Sequence, residues 1–316
     1  IAAGYFTVST TLKKLELKAG LRGEHTHSVG ESPTIGQRVA RDYFQLFPTL
    51  FASYQLTARD QVSFSAGRRI SRPSYQSLNP FLNYTDAYTA MLGNPYLAPS
   101  LARSFELNYL HAGFQVLNLS YLLENNVVSE VVYQNDQTKV TTTRPMNLDQ
   151  VLTLTLTSGG HTDLAKWWGM DNQVGATYGE VQTLVADQPV RLRRVGAMAT
   201  SNHTFILPRH YQLQVGGEYY GPSVNGVFAL RSSGTFNLGL RKQLWQEKAT
   251  LSLKVSDLFY TSGWFSSLHY QNINTDWVNR YDSRRLALSF TYKLGGGKTR
   301  STHTGGSADE EGRAGH

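Results

Sequence analysis

The chain has 316 residues, of which 40% are hydrophobic, 12% aromatic and only 17% charged, with a formal net charge of +7 and no cysteine. The absence of cysteine excludes a disulfide scaffold and thiolate metal sites, and no run approaches the roughly 18 consecutive apolar residues of a transmembrane helix. The positive charge is spread too evenly along the chain to point to nucleic acid, whereas low charge with abundant Tyr, Thr, Ser and Gly suits many strands and many turns.

In chain order, period-two alternation recurs from the first residues onward. "IAAGYFTVSTTLKK" lacks the charged start and continuous apolar core of a signal peptide; it reads as a strand already under way, as in a fragment or cleaved product. Leu15, Leu17, Ala19 and Leu21 alternate with Glu16, Lys18, Gly20 and Arg22. The same pattern carries Val62, Phe64 and Ala66, then Phe105, Leu107 and Tyr109, then Leu152, Leu154 and Leu156 between threonines. Tyr211 to Tyr219, Leu251 to Val255 and Leu286 to Leu294 complete it. About thirteen strands are predicted, at 2–11, 15–28, 43–57, 60–72, 101–111, 114–134, 138–159, 167–181, 190–206, 210–221, 226–241, 248–262 and 282–294. Most exceed the roughly 9–11 residues that cross a bilayer at a tilt.

The connections sort by length. Those at 12–14, 58–59, 112–113, 160–166, 207–209 and 242–247 are short, whereas 29–42, 73–100 and 263–281 are long and 182–189 is longer than its neighbours, with modest ones at 135–137 and 222–225. Short turns on one side and long loops on the other are the habit of outer-membrane barrels, with the short turns in the periplasm. A mean hydropathy of −0.35 is no obstacle, because barrel strands hide their apolar residues among polar ones. The expected fold is therefore all-β, an antiparallel transmembrane β-barrel over residues 1–294, followed by a disordered polar periplasmic tail at 295–316. The first strand runs toward a short turn and so descends; a closed barrel with both ends in the periplasm then expects an odd number of strands ahead of Ile1.

"GRRISRPSYQSLNPF" followed by "GNPYLAPSLARSFELNY" resembles a signature of TonB-dependent receptors of the Bacteroidetes type. Arg72, Pro73, Tyr75, Leu78, Asn79, Pro80 and Phe81 carry the first part, and Gly93, Asn94, Pro95, Leu97 and Pro99 the second. "AGLRGE", "LFPTLFASYQL", "KWW", "YYGPSVNGVFAL", "LGLRKQL", "VSDLF" and "RRLALSFTYKLG" extend the resemblance over nearly the whole chain. It implies an outer-membrane importer, usually a barrel of about 22 strands around a plug, which takes up a scarce solute such as a siderophore or glycan when TonB pulls on the plug. Thirteen strands would be the C-terminal part of that barrel, and neither plug nor TonB-contacting segment is present in this sequence. The alternatives are a passive porin-like or structural barrel and a soluble all-β binding protein. Implied partners are the bilayer and lipopolysaccharide, the TonB complex through the plug, and an extracellular ligand.

Several residues are candidates for a site. The motif loop, with Arg69 at its entrance, is stiffened by Pro73, Pro80, Pro95 and Pro99; it serves either as scaffold over the barrel mouth or as a ligand contact. His25 and His27 share one strand face and are a weak metal pair. The clusters Arg68–Arg69–Arg72 and Arg191–Arg193–Arg194 face either solvent and lipopolysaccharide or an anionic ligand. Trp167, Trp168 and Trp245 lie near strand ends and suit an interfacial aromatic girdle. Trp264 and Trp277, in a long outer loop, are possible ligand-facing aromatics. No nucleophile elbow, zinc-helix motif or phosphate loop is visible, so neither enzymatic activity nor a cofactor is expected.

Overall fold

The computed structural model describes residues 1–33 and 36–294; the expected polar tail at 295–316 lies outside the described residues. The elements in chain order are β1 (Ala2–Leu12), β2 (Leu15–Ser32), β3 (Gln37–Gln55), β4 (Asp60–Ser71), α1 (Tyr75–Leu78), β5 (Leu82–Asp86), β6 (Thr89–Leu92), β7 (Ser100–His111), β8 (Phe114–Gln134), β9 (Thr141–Ala165), β10 (Trp168–Val185), β11 (Gln188–Leu207), β12 (Tyr211–Tyr220), β13 (Ser223–Asn225), β14 (Phe228–Leu230), β15 (Ser233–Leu244), β16 (Ala249–Ser256), β17 (Trp264–Tyr270), β18 (Ile273–Asn279) and β19 (Arg285–Tyr292). Thirteen of the strands form one wall in the order β1-β2-β3-β4-β7-β8-β9-β10-β11-β12-β15-β16-β19, each antiparallel to the next. The hairpin β5–β6 is attached to this wall by a parallel pairing of β6 with the start of β9. A separate sheet, β13-β14-β17-β18, completes the architecture.

The register explains the alternation. Residues directly opposed across an antiparallel pair share a face. Leu213 opposes Leu240, Leu240 opposes Leu253, and Leu253 opposes Leu288. On the other face Gln212 opposes Arg241, Arg241 opposes Ser252, and Ser252 opposes Ser289. One face of the wall is thus apolar and the other polar. The apolar face is open, with Leu286 72% and Leu288 70% exposed. These leucines are not packed between two sheets, which is what a soluble sandwich would require. A wall whose exposed face is apolar suits a lipid solvent.

The thirteen wall strands match the predicted number, but several boundaries move. Residues 29–32 and 37–42, expected within a loop, are the outer ends of β2 and β3, paired from Ser28–Arg41 to Ser32–Gln37. Residues 160–166, expected as a link, mostly belong to β9, and 182–189 contract to a turn in which Ala186 and Asp187 have positive φ. The predicted strand 226–241 is split into β14 and β15, and the expected loop 263–281 is the hairpin β17–β18. The stretch 73–100 contains α1 and the β5–β6 hairpin. The cause is common to most of them. Beyond the apolar zone a strand has polar residues on both faces, so alternation fades while the ladder of hydrogen bonds continues. β8 and β9, of 21 and 25 residues, far exceed the roughly 9–11 needed for crossing, and they project beyond the apolar zone at the end away from the short turns.

Candidate ligand site at the barrel mouth

The second sheet sits on the polar face of the wall, at the projecting end. Gly179 shares a face with Thr153, and an added Cβ there would lie 2.6 Å from Val224. A Cβ on Gly196 would lie 2.1 Å from the Pro222 carbonyl, so the close approach of the 221–224 segment requires glycine at this position. Between the two layers a dry cluster forms from Val131, Val132, Leu148, Val181, Val185, Val227, Leu268, Tyr270 and Ile273. This is the largest apolar core among the described residues, and it fixes the hairpin β17–β18 to the wall.

Side chains at the hairpin tip secure it further. The Tyr270 hydroxyl accepts the Val132 N–H at 2.9 Å and donates to the Val132 carbonyl at 2.7 Å. Gln271 donates to the Val185 carbonyl at 2.7 Å and Asn272 to the Gln134 carbonyl at 3.0 Å. Burial pushes the Tyr270 phenol up to about 12. At the base of the same loop, buried Asp257 accepts the N–H groups of Thr261 and Ser262, both at 3.0 Å, and the Ser283 hydroxyl at 2.6 Å. Burial opposes its charge, but these hydrogen bonds outweigh that and hold the carboxyl below the usual range.

Beside this anchored hairpin lies a cavity of about 540 Å³ between Val128–Glu130 of β8 and the second sheet. Its wall includes Trp264, Trp277 and Phe228, with Asn225, Asn279, Ser129, Ser266 and Glu130 supplying polar groups. Phe228 and Trp277 are in contact, 5.6 Å between centroids at 56°, and the Trp264 indole N–H donates to Ser266 at 3.0 Å. Both tryptophans remain partly open, 37% and 36% exposed. Apolar rings beside a few polar side chains are the usual make-up of a small-molecule site. Trp264 and Trp277 were expected as candidates; Phe228, Asn225, Asn279 and Glu130 were not. The alternation of "WFSSLHY" and "INTDWVN" about a polar turn was a legible hairpin signal, but nothing local marks Glu130, which is 134 positions from Trp264.

The motif loop is folded and tied down. Ser74 caps α1 by accepting from Ser77 N–H. Asn94 N–H donates to Ser77 O at 2.7 Å, and the Asn94 side chain donates to Pro145 O at 3.1 Å. Asn79 Oδ1 accepts the Phe81 N–H, and Arg41 donates to the Pro95 carbonyl. A Cβ on Gly93 would lie 2.1 Å from Asn79 O. Arg72 donates to Glu24 at 2.6 Å, and Arg22 pairs with the same carboxylate at 2.8 Å. Tyr75, Asn79, Pro80, Phe81 and Pro95 line a second cavity of about 240 Å³ with Glu31, Gln37 and Arg41. Arg69 opposes Ala102 on the polar face. Pro73 lies two residues beyond the end of β4, at the entrance to the loop.

His25 and His27 face the apolar side, where both bind Asp42, at 2.9 and 3.1 Å. Among the described residues no group of three or more His, Cys, Asp or Glu is placed to hold a metal ion. Trp167, Trp168 and Phe205 contact one another beside the short turn 166–167, and Trp245 meets Phe290 and Tyr292 edge-on at the next-but-one short turn. Trp168 also donates to His203 Nδ1 at 3.1 Å, while His203 Nε2 meets Ser201 Oγ at 2.9 Å. That donation makes Nδ1 an acceptor and leaves the proton on Nε2. Ser201 Oγ in turn donates to Asn172 Oδ1 at 2.6 Å, so its proton is not directed at the imidazole.

The family described as "Outer membrane protein beta-barrel family" matches residues 1–292. No curated protein matches the chain. Among solved structures, the siderophore receptor PirA from Pseudomonas aeruginosa is similar at 15% identity and a TM-score of 0.57, covering 82% of this chain and 45% of its own. The ferric yersiniabactin uptake receptor FyuA from Yersinia pestis is similar at 15% identity and 0.60, covering 91% and 44%. The copper transporter OprC is similar at 12% and 0.58, covering 88% and 46%. At these identities the likeness is one of fold, and the chain spans less than half the length of each of these proteins. With open apolar strands, a polar inner face and a family match over nearly its whole described length, the chain belongs to the outer membrane protein beta-barrel family of the Gram-negative outer membrane.

Proposed function

We propose that residues 1–294 are part of the barrel of a TonB-dependent receptor of the Bacteroidetes type, which binds an extracellular solute at its mouth and passes it inward. The observation that carries this reading is the cavity of Trp264, Trp277 and Phe228, held on the inner face by a dedicated hairpin. The ordered signature from Arg72 to Pro99 supports the subgroup. Among the described residues the edges β1 and β19 do not pair with each other, and because unpaired backbone groups are not tolerated in hydrocarbon, this supports a larger barrel. In this reading the motif loop is a scaffold for the mouth, and Trp167, Trp168 and Trp245 form the periplasmic aromatic girdle. A plug carried by other residues meets TonB. The chemistry is non-covalent.

The test compares cells carrying the full-length protein with cells carrying its W264A/W277A form or lacking it. Mass spectrometry of the spent medium reports which solute is depleted. Depletion that is lost in both altered strains and abolished by a protonophore supports energised uptake. Depletion that persists under the protonophore identifies a passive pore instead. Unchanged depletion in the W264A/W277A strain removes the cavity from the pathway.

A further inference from the structure

On the apolar, outward face of the wall, just above the exposed Val174 and Val195, lies a charged cluster unlike the rest of that face. Leu152 opposes Glu180, and Glu180 opposes Arg193, which places all three on the lipid side; Arg191, two residues along, shares it. Glu180 is only 7% exposed because other side chains converge on it. Its Oε1 accepts Arg191 Nε at 2.7 Å, Arg193 Nε at 3.0 Å and Gln182 Nε2 at 2.7 Å, and its Oε2 accepts the Tyr178 hydroxyl at 2.5 Å. The carboxylate is thus saturated, and both arginines are held by their inner nitrogen. Their terminal nitrogens, two on each, have no acceptor among the described residues, and both side chains are about half exposed.

We propose that Arg191 and Arg193 form a binding site for the phosphate of an outer-leaflet glycolipid, with Glu180 as the anchor that sets their spacing. Three facts converge. A planar guanidinium offers paired donors that match phosphate oxygens. Fixing two of them on one carboxylate lowers the ordering cost of gripping one anion between them. The cluster carries a net positive charge, and beneath it on the same face lie the Tyr178 ring and the exposed Val195 and Val174, so a lipid whose chains lie along this apolar surface brings its headgroup to the arginines. A free anion in solution gains nothing from that apolar surface. The proposal does not depend on what the receptor imports.

The experiment uses the native full-length protein in nanodiscs containing lipid A, with native mass spectrometry reading retained lipid. Wild type is expected to retain lipid A and to lose it at least tenfold in R191Q/R193Q; if the double variant fails to assemble, R191Q and R193Q alone are read the same way, each with a loss of about threefold or more. Lipid A stripped of its phosphates is expected to bind no better to wild type than to the variants. R194Q, on the opposite face, is expected to match wild type. Equal retention by wild type and R191Q/R193Q, retention by wild type of dephosphorylated lipid A as well as of intact lipid A, an equal loss in R194Q, or displacement of lipid A by millimolar inorganic phosphate would each overturn the proposal.

Discussion

Replacing Tyr270 by Phe removes a single oxygen from the joint between wall and mouth. β7 pairs with β8 only as far as Asn125, so the peptide of Val132 has no strand neighbour on that side. The phenol takes the place of that strand by bonding both Val132 N–H and Val132 O. In Y270F the ring still fills the cluster, but a buried donor and acceptor lose their partner. That costs about 1–3 kcal/mol, roughly a 5- to 150-fold shift in a local opening equilibrium. Hydrogen–deuterium exchange should show peptides covering 127–134 and the β17–β18 tip exchanging faster by that factor, with β2 and β3 unchanged. Alkali should do the same to wild type. The folded phenol titrates near 12 and an unfolded one near 10, so its stabilisation is complete below pH 10 and is lost as pH rises toward 12. Unaltered exchange in Y270F would show that the hairpin is held by the apolar cluster alone.

Three further outcomes are expected. G93A puts a methyl against the Asn79 carbonyl, so the 79–94 contact opens and chymotrypsin cuts at Phe81 and Tyr84 far sooner than in wild type. R72M removes one of two arginines from Glu24; a charged hydrogen bond of about 1.5–3 kcal/mol is lost, and the heat-modifiable gel shift of the barrel moves to lower temperature. Asp257 has a carboxyl held below its ordinary 3.8, so its contribution is present above that value and disappears as pH falls through the lower folded one. Pepsin cleavage at Phe259 and Tyr260 should rise steeply over that acid range in wild type and already be high at its upper limit in D257N.

The wall was readable because lipid imposes a rule on every crossing residue. Leu253 and Leu288 point one way and Ser252 and Ser289 the other, so period two survives in the sequence. Above the membrane water wets both faces, and the rule lapses. Arg38 and Glu31 pair across β2–β3 in a segment that looks like a loop by composition. The mouth was legible only as ingredients. Trp264 and Trp277 could be picked out, because large aromatics in a long connection have few structural excuses. Their neighbours could not, since Glu130 and Asn225 join the cavity through packing of distant layers. The grip of Arg191 and Arg193 on Glu180 follows from register alone, once Glu180–Arg193 is known to be a paired position.

The Tyr270–Val132 joint spans 138 positions, whereas successive wall strands are mostly joined by short turns. Local hairpins close early and distant contacts late. The wall can therefore be laid down neighbour by neighbour, while its mouth stays agape until the β17–β18 hairpin has been delivered. Assembly should leave a transient, membrane-inserted species whose entrance is unfinished, and quality control that samples the cell surface would find its target there.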